Sequence, residues 1–360
     1  MSEDYAYNPV LPEGMLTEAT PFNDTYYTPD IYDTPPPNCG RYLILLWSVL
    51  CALVSIPGNT SVFVASAWYH AIRLDNISVI LIRNLAAADL VYTVTVILPT
   101  IWSVLSKRWA LGQTLCYAQF FLGYMTFLAD VILVCTLNIS KLTCLLFPLH
   151  ARTRAKRTGR FISLIIWGVT ATAIIPLVVW VTMKWVKFSN SSYRCDGTFH
   201  GSSSVWWVPA YSALFGLLPI IVVVVTTAWL LRFVKKVRGL QKESVVTNIA
   251  VSVVYVVALV PYTILQCSYL FLDKETHRMF YVHFYRFSVF MMWINTTGNH
   301  LIYYFTVVSY KNFVKKMFSF KTGERSTTVV FNKNAQSFES SSVFYPKDLS
   351  DVEVRISSAI

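Results

Sequence analysis

Two carboxylates stand in stretches of sequence where charge is otherwise almost absent. Asp89 lies in Asn84-Leu85-Ala86-Ala87-Ala88-Asp89-Leu90, and Asp130 lies in Phe127-Leu128-Ala129-Asp130-Val131-Ile132. An acid held in an apolar medium costs about 3 kcal/mol or more, so it persists where it does a task. The chemistry open to it is to hold a cation, to keep a proton, or to meet a polar partner. Enzyme chemistry has no comparable signal. The chain has no Gly-rich phosphate loop and no His-Glu-x-x-His, and its His and Cys residues are scattered. Catalysis is therefore not expected.

The elements that must position these acids are membrane helices. Of 360 residues, 55% are apolar and 14% are charged, against roughly 25% charged in a soluble domain. The apolar residues are gathered into seven blocks, near 42–69, 77–102, 116–147, 161–185, 205–234, 245–272 and 280–308. Each is long enough for a helix to cross about 30 Å of hydrocarbon. None alternates polar and apolar residues as a barrel strand would. The expectation is an all-α membrane protein, a seven-transmembrane helix bundle over residues 42–309.

Basic residues orient the bundle. Arg152, Arg154, Lys156, Arg157 and Arg160 follow the third span. Arg232, Lys235, Lys236, Arg238 and Lys242 follow the fifth, and Lys311, Lys315, Lys316 and Lys321 follow the seventh. The positive-inside bias places these three segments in the cytoplasm and the N-terminus outside. The net charge of +11 is thus a set of membrane-flanking charges, and no nucleic-acid partner is expected. The first forty residues have no leader pattern, so span one is expected to act as the insertion signal. Residues 1–41 read as an acidic, Tyr- and Pro-rich extracellular segment. Residues 310–320 read as a short amphipathic eighth helix on the inner leaflet, touching membrane lipid. Residues 321–360 read as a disordered Ser/Thr-rich tail. Sequons at Asn23 and Asn190 fall on the outer side and are candidate glycosylation sites.

The ordered motifs resemble those of rhodopsin-like (class A) G-protein-coupled receptors, over about residues 42–320. Gly58-Asn59-Thr60-Ser61-Val62 matches Gly-Asn-x-x-Val, and Asn84–Leu90 matches Asn-Leu-Ala-x-x-Asp-Leu. Trp109-Ala110-Leu111-Gly112 precedes Cys116. Trp167, Pro176, Pro219 and Pro261 fall in spans four to six, and Asn299-His300-Leu301-Ile302-Tyr303 resembles Asn-Pro-x-x-Tyr. The resemblance implies a plasma-membrane receptor with a Cys116–Cys195 disulfide and a sodium-type site at Asp89, Asn295 and Asn299. It implies no organic cofactor, with a structural Na+ as the one candidate ion. Counting from Cys116 places Asp130 where the family has Ser, facing Asp89. Either the two acids share a cation or a proton, or Asp130 meets a polar partner elsewhere in the bundle.

Several switch positions depart from the family pattern. Ser140-Lys141-Leu142 stands in place of Asp-Arg-Tyr, Leu259 in place of Trp, Thr227 in place of Tyr, and His300 in place of Pro. Lys141 keeps a positive charge without the planar fork of Arg. His300 is read either as a neutral, hydrogen-bonded core residue or as an imidazolium beside Asp89. Tyr303 keeps its place in the switch. Ligand-contacting positions carry Tyr124, Phe127, Tyr211, Tyr262, Gln266, Tyr285 and Trp293, with Gly123 where amine receptors have Asp. The pocket is aromatic and near neutral, which favours a peptide or lipid ligand over a monoamine. Heterotrimeric G protein, arrestin or both are the expected transducers. Ser337, Ser340, Ser341 and Ser342 resemble kinase and arrestin sites, and Ser358-Ala359-Ile360 fits a PDZ ligand. The alternatives are a receptor that does not couple to G protein or scavenges its ligand, and a transporter or channel lined by the two acids. The absence of an internal repeat weighs against the last.

Overall fold

The computed structural model describes residues 38–67, 76–106, 111–189, 192–199, 213–268 and 274–319, with Ile72, Leu74, Trp109, Ala210 and Tyr211 between them. The acidic N-terminal segment with Asn23, the sequon residue Asn190 and the tail from residue 320 lie outside the described residues. One compact unit runs through Lys315. A second starts at Lys316 and is described only as the helical residues 316–319.

The chain folds as a bundle of seven long helices. Span one is Asn38–Ala67. Span two runs through Asn76–Tyr92, a π-helical turn at Thr93–Ile97 and Leu98–Ser106. Span three is Gly112–Leu146 and span four Pro148–Trp180. Span five joins a π-helical turn at Ala213–Leu217 to Leu218–Phe233. Span six is Gly239–Cys267, span seven Lys274–Thr306, and a short helix, Val308–Ser319, follows. Over the described residues six of the helices are long and apolar enough to cross a bilayer. Span seven, at 33 residues, has the length of a seventh. Large apolar side chains such as Leu46, Trp102, Leu164, Ile221, Val257 and Phe305 face outward, while Asn59, Asp89, Asp130, Asn138, Asn248 and Asn299 are buried. Lipid demands this inversion, because a polar group has no partner there except another span.

The fourth apolar block is not helical to its end. The helix stops at Trp180, and Val181–Ser189 forms β1, paired antiparallel with β2, Ser192–Phe199. The run Val-Thr-Met-Lys-Trp-Val-Lys-Phe interleaves β-branched and aromatic residues with charge, which suits a pleated ribbon better than a lipid-facing helix. Trp185 lies opposite Cys195 in the register, and the hairpin rests against span three.

Both π-helical turns end two residues before a proline, Pro99 in span two and Pro219 in span five. A proline removes one backbone donor and crowds the carbonyl four residues earlier, and a wider turn relieves the clash. Pro57, Pro176 and Pro261 are instead carried inside continuous α-helix. Spans three and six each begin on a glycine with positive φ, Gly112 at 76° and Gly239 at 56°, where a side chain would be strained. Trp109 fixes the first of these starts by donating its indole N–H to the Gly112 carbonyl at 2.8 Å.

Gly58 of span one faces span seven at His300. A Cβ there would run into the His300 ring. The ring that replaces the family's proline therefore needs a bare backbone opposite it. Gly58→Ala should lower the thermal midpoint by several degrees, through overpacking of about 1–3 kcal/mol. Adding His300→Ala should restore most of the loss. A thermal melt of the single and double variants reads the coupling directly.

Candidate functional site

The centre of the bundle is built around Asp89. Its Oδ2 accepts from Asn299 Nδ2 of span seven at 3.0 Å. Its backbone carbonyl ends a relay through three helices. Asn59 Nδ2 donates to the Thr296 carbonyl of span seven at 3.0 Å and to Ser55 Oγ at 3.0 Å. Ser55 and Thr93 hydroxyls are 2.7 Å apart, and Thr93 donates to the Asp89 carbonyl at 2.7 Å. Thr93 opens the π-helical turn, so the irregular backbone brings a hydroxyl into the relay. A second tie, on the span-four side, runs through Asn84, which accepts from Trp167 Nε1 at 2.9 Å and donates to Ser163 Oγ at 3.1 Å.

Asp130 comes to Asp89. The two carboxyl groups lie within hydrogen-bond reach of each other, and both residues are buried. Around them several buried oxygens have no partner, namely Asp89 Oδ1, Asp130 Oδ1, Asn59 Oδ1, Asn295 Oδ1, Asn299 Oδ1 and the Tyr303 hydroxyl. Buried acceptors without donors are costly, and carboxylate and carboxamide oxygens are the donors a hard cation prefers. The residues present therefore fit a small cation. Among the described residues no group of three or more His, Cys, Asp or Glu side chains is assembled.

A small cavity lies beside Asp130, lined also by Tyr92, Phe127, Tyr255, Leu259, Met292 and Asn295. It offers about 20 Å³ to the centre of a water-sized guest, enough for one water or a bare small ion. Leu259, where the family pattern has Trp, forms part of its wall.

The predicted ligand positions are brought together in part. The Tyr262 hydroxyl bonds to Tyr124 and Gln266, and its ring meets Phe127 edge-on at 6.0 Å. Tyr211 turns toward span four, where its hydroxyl lies 3.5 Å from the Ala173 carbonyl, and its ring lies 4.4 Å from Phe215. Trp293 is packed against Cys51, Ala52 and Ile97 of spans one and two. Tyr285 is on span seven, with its side chain outside the described residues. Gly123 is bare for a reason of packing, since a Cβ there would meet Val96 of the π-helical turn at 2.8 Å.

Cys116 is disulfide-bonded, and Cys51, Cys135 and Cys267 are free thiols. The backbone of Cys195 lies in β2, and its side chain is outside the described residues. Toward the other end of span three, Ser140 donates to the Leu137 carbonyl at 3.0 Å. Lys141 is buried and donates to Ser244 of span six at 2.6 Å. Leu142 packs with Leu230, Val237 and Val245. His300 Nδ1 is buried without a partner, so of the two readings the hydrogen-bonded one is not supported at this nitrogen. Beyond span seven, Tyr310 bonds to Ser61. Burial raises its phenol above the usual value and that bond opposes the shift. Sequence reading missed Asn138, Asn248, Ser252 and Ser244. None of them falls in a family motif quoted above.

Seven helices around a buried acid–amide centre, with one end joined to a disulfide-bonded cysteine, define a heptahelical receptor. Residues 58–303 match the family described as 7 transmembrane receptor (rhodopsin family), and the chain belongs to it. It is a multi-pass membrane protein and a receptor, not an enzyme. It is 23% identical to the C-X-C chemokine receptor type 1 of Rattus norvegicus over 235 residues, 64% of this chain and 66% of that one. It is 23% identical to the Type-1 angiotensin II receptor B of Rattus norvegicus over 219 residues, 58% and 60% of the two chains. It is 25% identical to the G-protein coupled receptor 183-B of Danio rerio over 328 residues, 83% and 86% of the two. The chain thus spans just under two thirds of the length of the first of these.

The bond from Asn299 and the desolvation of Asp89 act in opposite directions on stability. Asn299→Leu should lower the thermal midpoint, since Asp89 Oδ2 loses its donor at a cost of about 1–3 kcal/mol. Asp89→Asn keeps an acceptor and removes the buried charge, so it should raise the midpoint. Melts of the two variants beside the parent test the signs.

Proposed function

We propose that the chain is a plasma-membrane receptor that passes the binding of an extracellular peptide to cytoplasmic G protein, arrestin or both. An aromatic, uncharged cluster carries this reading. It joins Tyr124, Phe127, Tyr262 and Gln266, on spans three and six, with the bare Gly123 next to Tyr124 in sequence. A monoamine needs a carboxylate partner there, and a peptide does not. The names of three relatives, receptors for chemokines, angiotensin II and somatostatin, point the same way. The N-terminus is outside in this reading, with Asn23 and Asn190 available for glycosylation. Cys116 pairs with Cys195, pinning the hairpin across the ligand entrance. The Ser/Thr-rich tail offers arrestin and PDZ contacts, and the basic segments meet anionic lipid.

In the same reading Asp89, Asp130, Asn295 and Asn299 hold a sodium ion. The ion supplies compensating charge to two acids that cannot both stay ionised alone. Its support is the set of partnerless oxygens on Asp89, Asp130, Asn295 and Asn299, two of which, Asp130 and Asn295, line the small cavity. Sodium should then raise the thermal midpoint of the purified receptor relative to a bulkier monovalent cation such as choline. Asp130→Ser should cut that rise by at least half. Equal melts in the two salts would rule the site out. A screen of basic and neutral peptides, read by G-protein activation and arrestin recruitment in parallel, tests ligand and transducer together.

A further inference from the structure

Two guanidinium groups come together where spans two and four touch. The spans are in contact at Gly159, where a Cβ would lie 3.0 Å from Ile80. They are tied again one residue beyond Arg83 and three beyond Arg160, by Asn84 donating to Ser163 at 3.1 Å. Arg83 and Arg160 fall between these two contacts, near enough for their charges to repel. Arg83 is half-buried. Its Nη2 donates to the Ser66 carbonyl of span one at 2.9 Å, and its Nε is buried without a partner. Arg160 is exposed, as is Arg157 one turn earlier on the same face of span four. Spans one, two and four together carry a single acid, Asp89. That acid lies six residues along from Arg83 and is engaged by Asn299.

We propose that Arg83 and Arg160 form a binding site for a phosphomonoester, carried by the headgroup of an inner-leaflet lipid. Two cations held side by side need an anion, and a buried guanidinium N–H needs an acceptor. The Ser66 bond occupies only one of the five donors of Arg83. The planar forks take phosphate oxygens in pairs, and two of them balance a phosphomonoester, which carries nearly two negative charges at neutral pH. The surroundings favour a lipid over a soluble phosphate. Phe161, Leu164 and Ile165 follow Arg160 on span four and are exposed, so acyl chains would have an apolar wall beside the charged pair. The pair also lies toward the end that the basic loops mark as cytoplasmic, where anionic headgroups are concentrated. A headgroup seated there would join spans one, two and four. The site is independent of the ligand and the transducer proposed above.

The test places the purified full chain in phosphatidylcholine nanodiscs with and without a phosphatidylinositol phosphate. The thermal midpoint and the lipid retained in native mass spectrometry are read. The phosphoinositide should raise the midpoint by several degrees. Arg160→Gln alters an exposed side chain, so the fold should stand, and it should cut both the rise and the retained lipid at least two-fold. Arg83→Gln should do the same, and should also lower the midpoint in neutral discs because the Ser66 bond is lost. Lys235→Gln with Lys236→Gln, at an exposed basic pair elsewhere, should leave the rise unchanged. No rise in the parent, or an equal rise in Arg160→Gln, would overturn the site. An equal rise with inorganic phosphate in neutral discs would overturn the lipid as its source, and an equal rise with phosphatidylserine would overturn the phosphomonoester.

Discussion

A carboxylate at the level of Asp89 has no water to turn to, and the rest of the bundle is arranged around that fact. Asn299 reaches it from span seven and Asp130 from span three, while Asn59, Ser55 and Thr93 lead to its carbonyl from span one and from its own helix. Its partners must be side chains, several of them from other helices, because an α-helix consumes its own backbone groups and lipid offers none. One buried acid thus brings four spans to a common height. Apolar packing alone has no such specificity in a membrane, where lipid tails compete equally well for every Leu and Ile.

The number and order of the helices were legible because hydrocarbon thickness fixes how many apolar residues a span needs. Family spacing gave Asp89, Asn59 and Asn299 a shared neighbourhood, whereas the buried amides Asn138 and Asn248, outside those motifs, were not singled out. Three further features were not legible. The π-helical turns at Thr93–Ile97 and Ala213–Leu217 follow from Pro99 and Pro219, yet Pro57, Pro176 and Pro261 produce none. The consequence of a proline therefore depends on what packs against the helix, which periodicity does not encode. The hairpin at Val181–Phe199 was hidden because an apolar run of that length reads equally as the end of a span. The closeness of Gly58 and His300 is a contact between residues 242 positions apart, and no local pattern reports it.

The substitutions that set this chain apart from its family's pattern make sense as local pairs. His300 brings a ring where a proline would bring a kink, and Gly58 supplies the room. Gly123 gives up any ligand charge, and the π-helical turn places Val96 into the space. Leu259 is smaller than Trp, and a cavity opens beside it next to Asp130. Lys141 has no Asp or Glu beside it in sequence, and it is buried toward Ser244 instead. In each pair the change is absorbed by a neighbour in space rather than in sequence, so the fold persists while the contacts at the switch positions are rewritten.

The two polar centres of the bundle differ in how well they are satisfied, and the difference bears on function. The row that joins Asn138 and Lys141 of span three to Ser252, Asn248 and Ser244 of span six is closed by short hydrogen bonds, with one acceptor left over. The centre around Asp89 and Asp130 has six partnerless oxygens and two acids. Low dielectric strengthens a completed network and penalises an incomplete one, so the first centre stabilises the arrangement it is seen in and the second invites a ligand. Span three carries a member of each, Asp130 and Asn138, two turns apart on one rigid helix. A displacement of span three therefore moves both centres together, with no chain of side chains required between them.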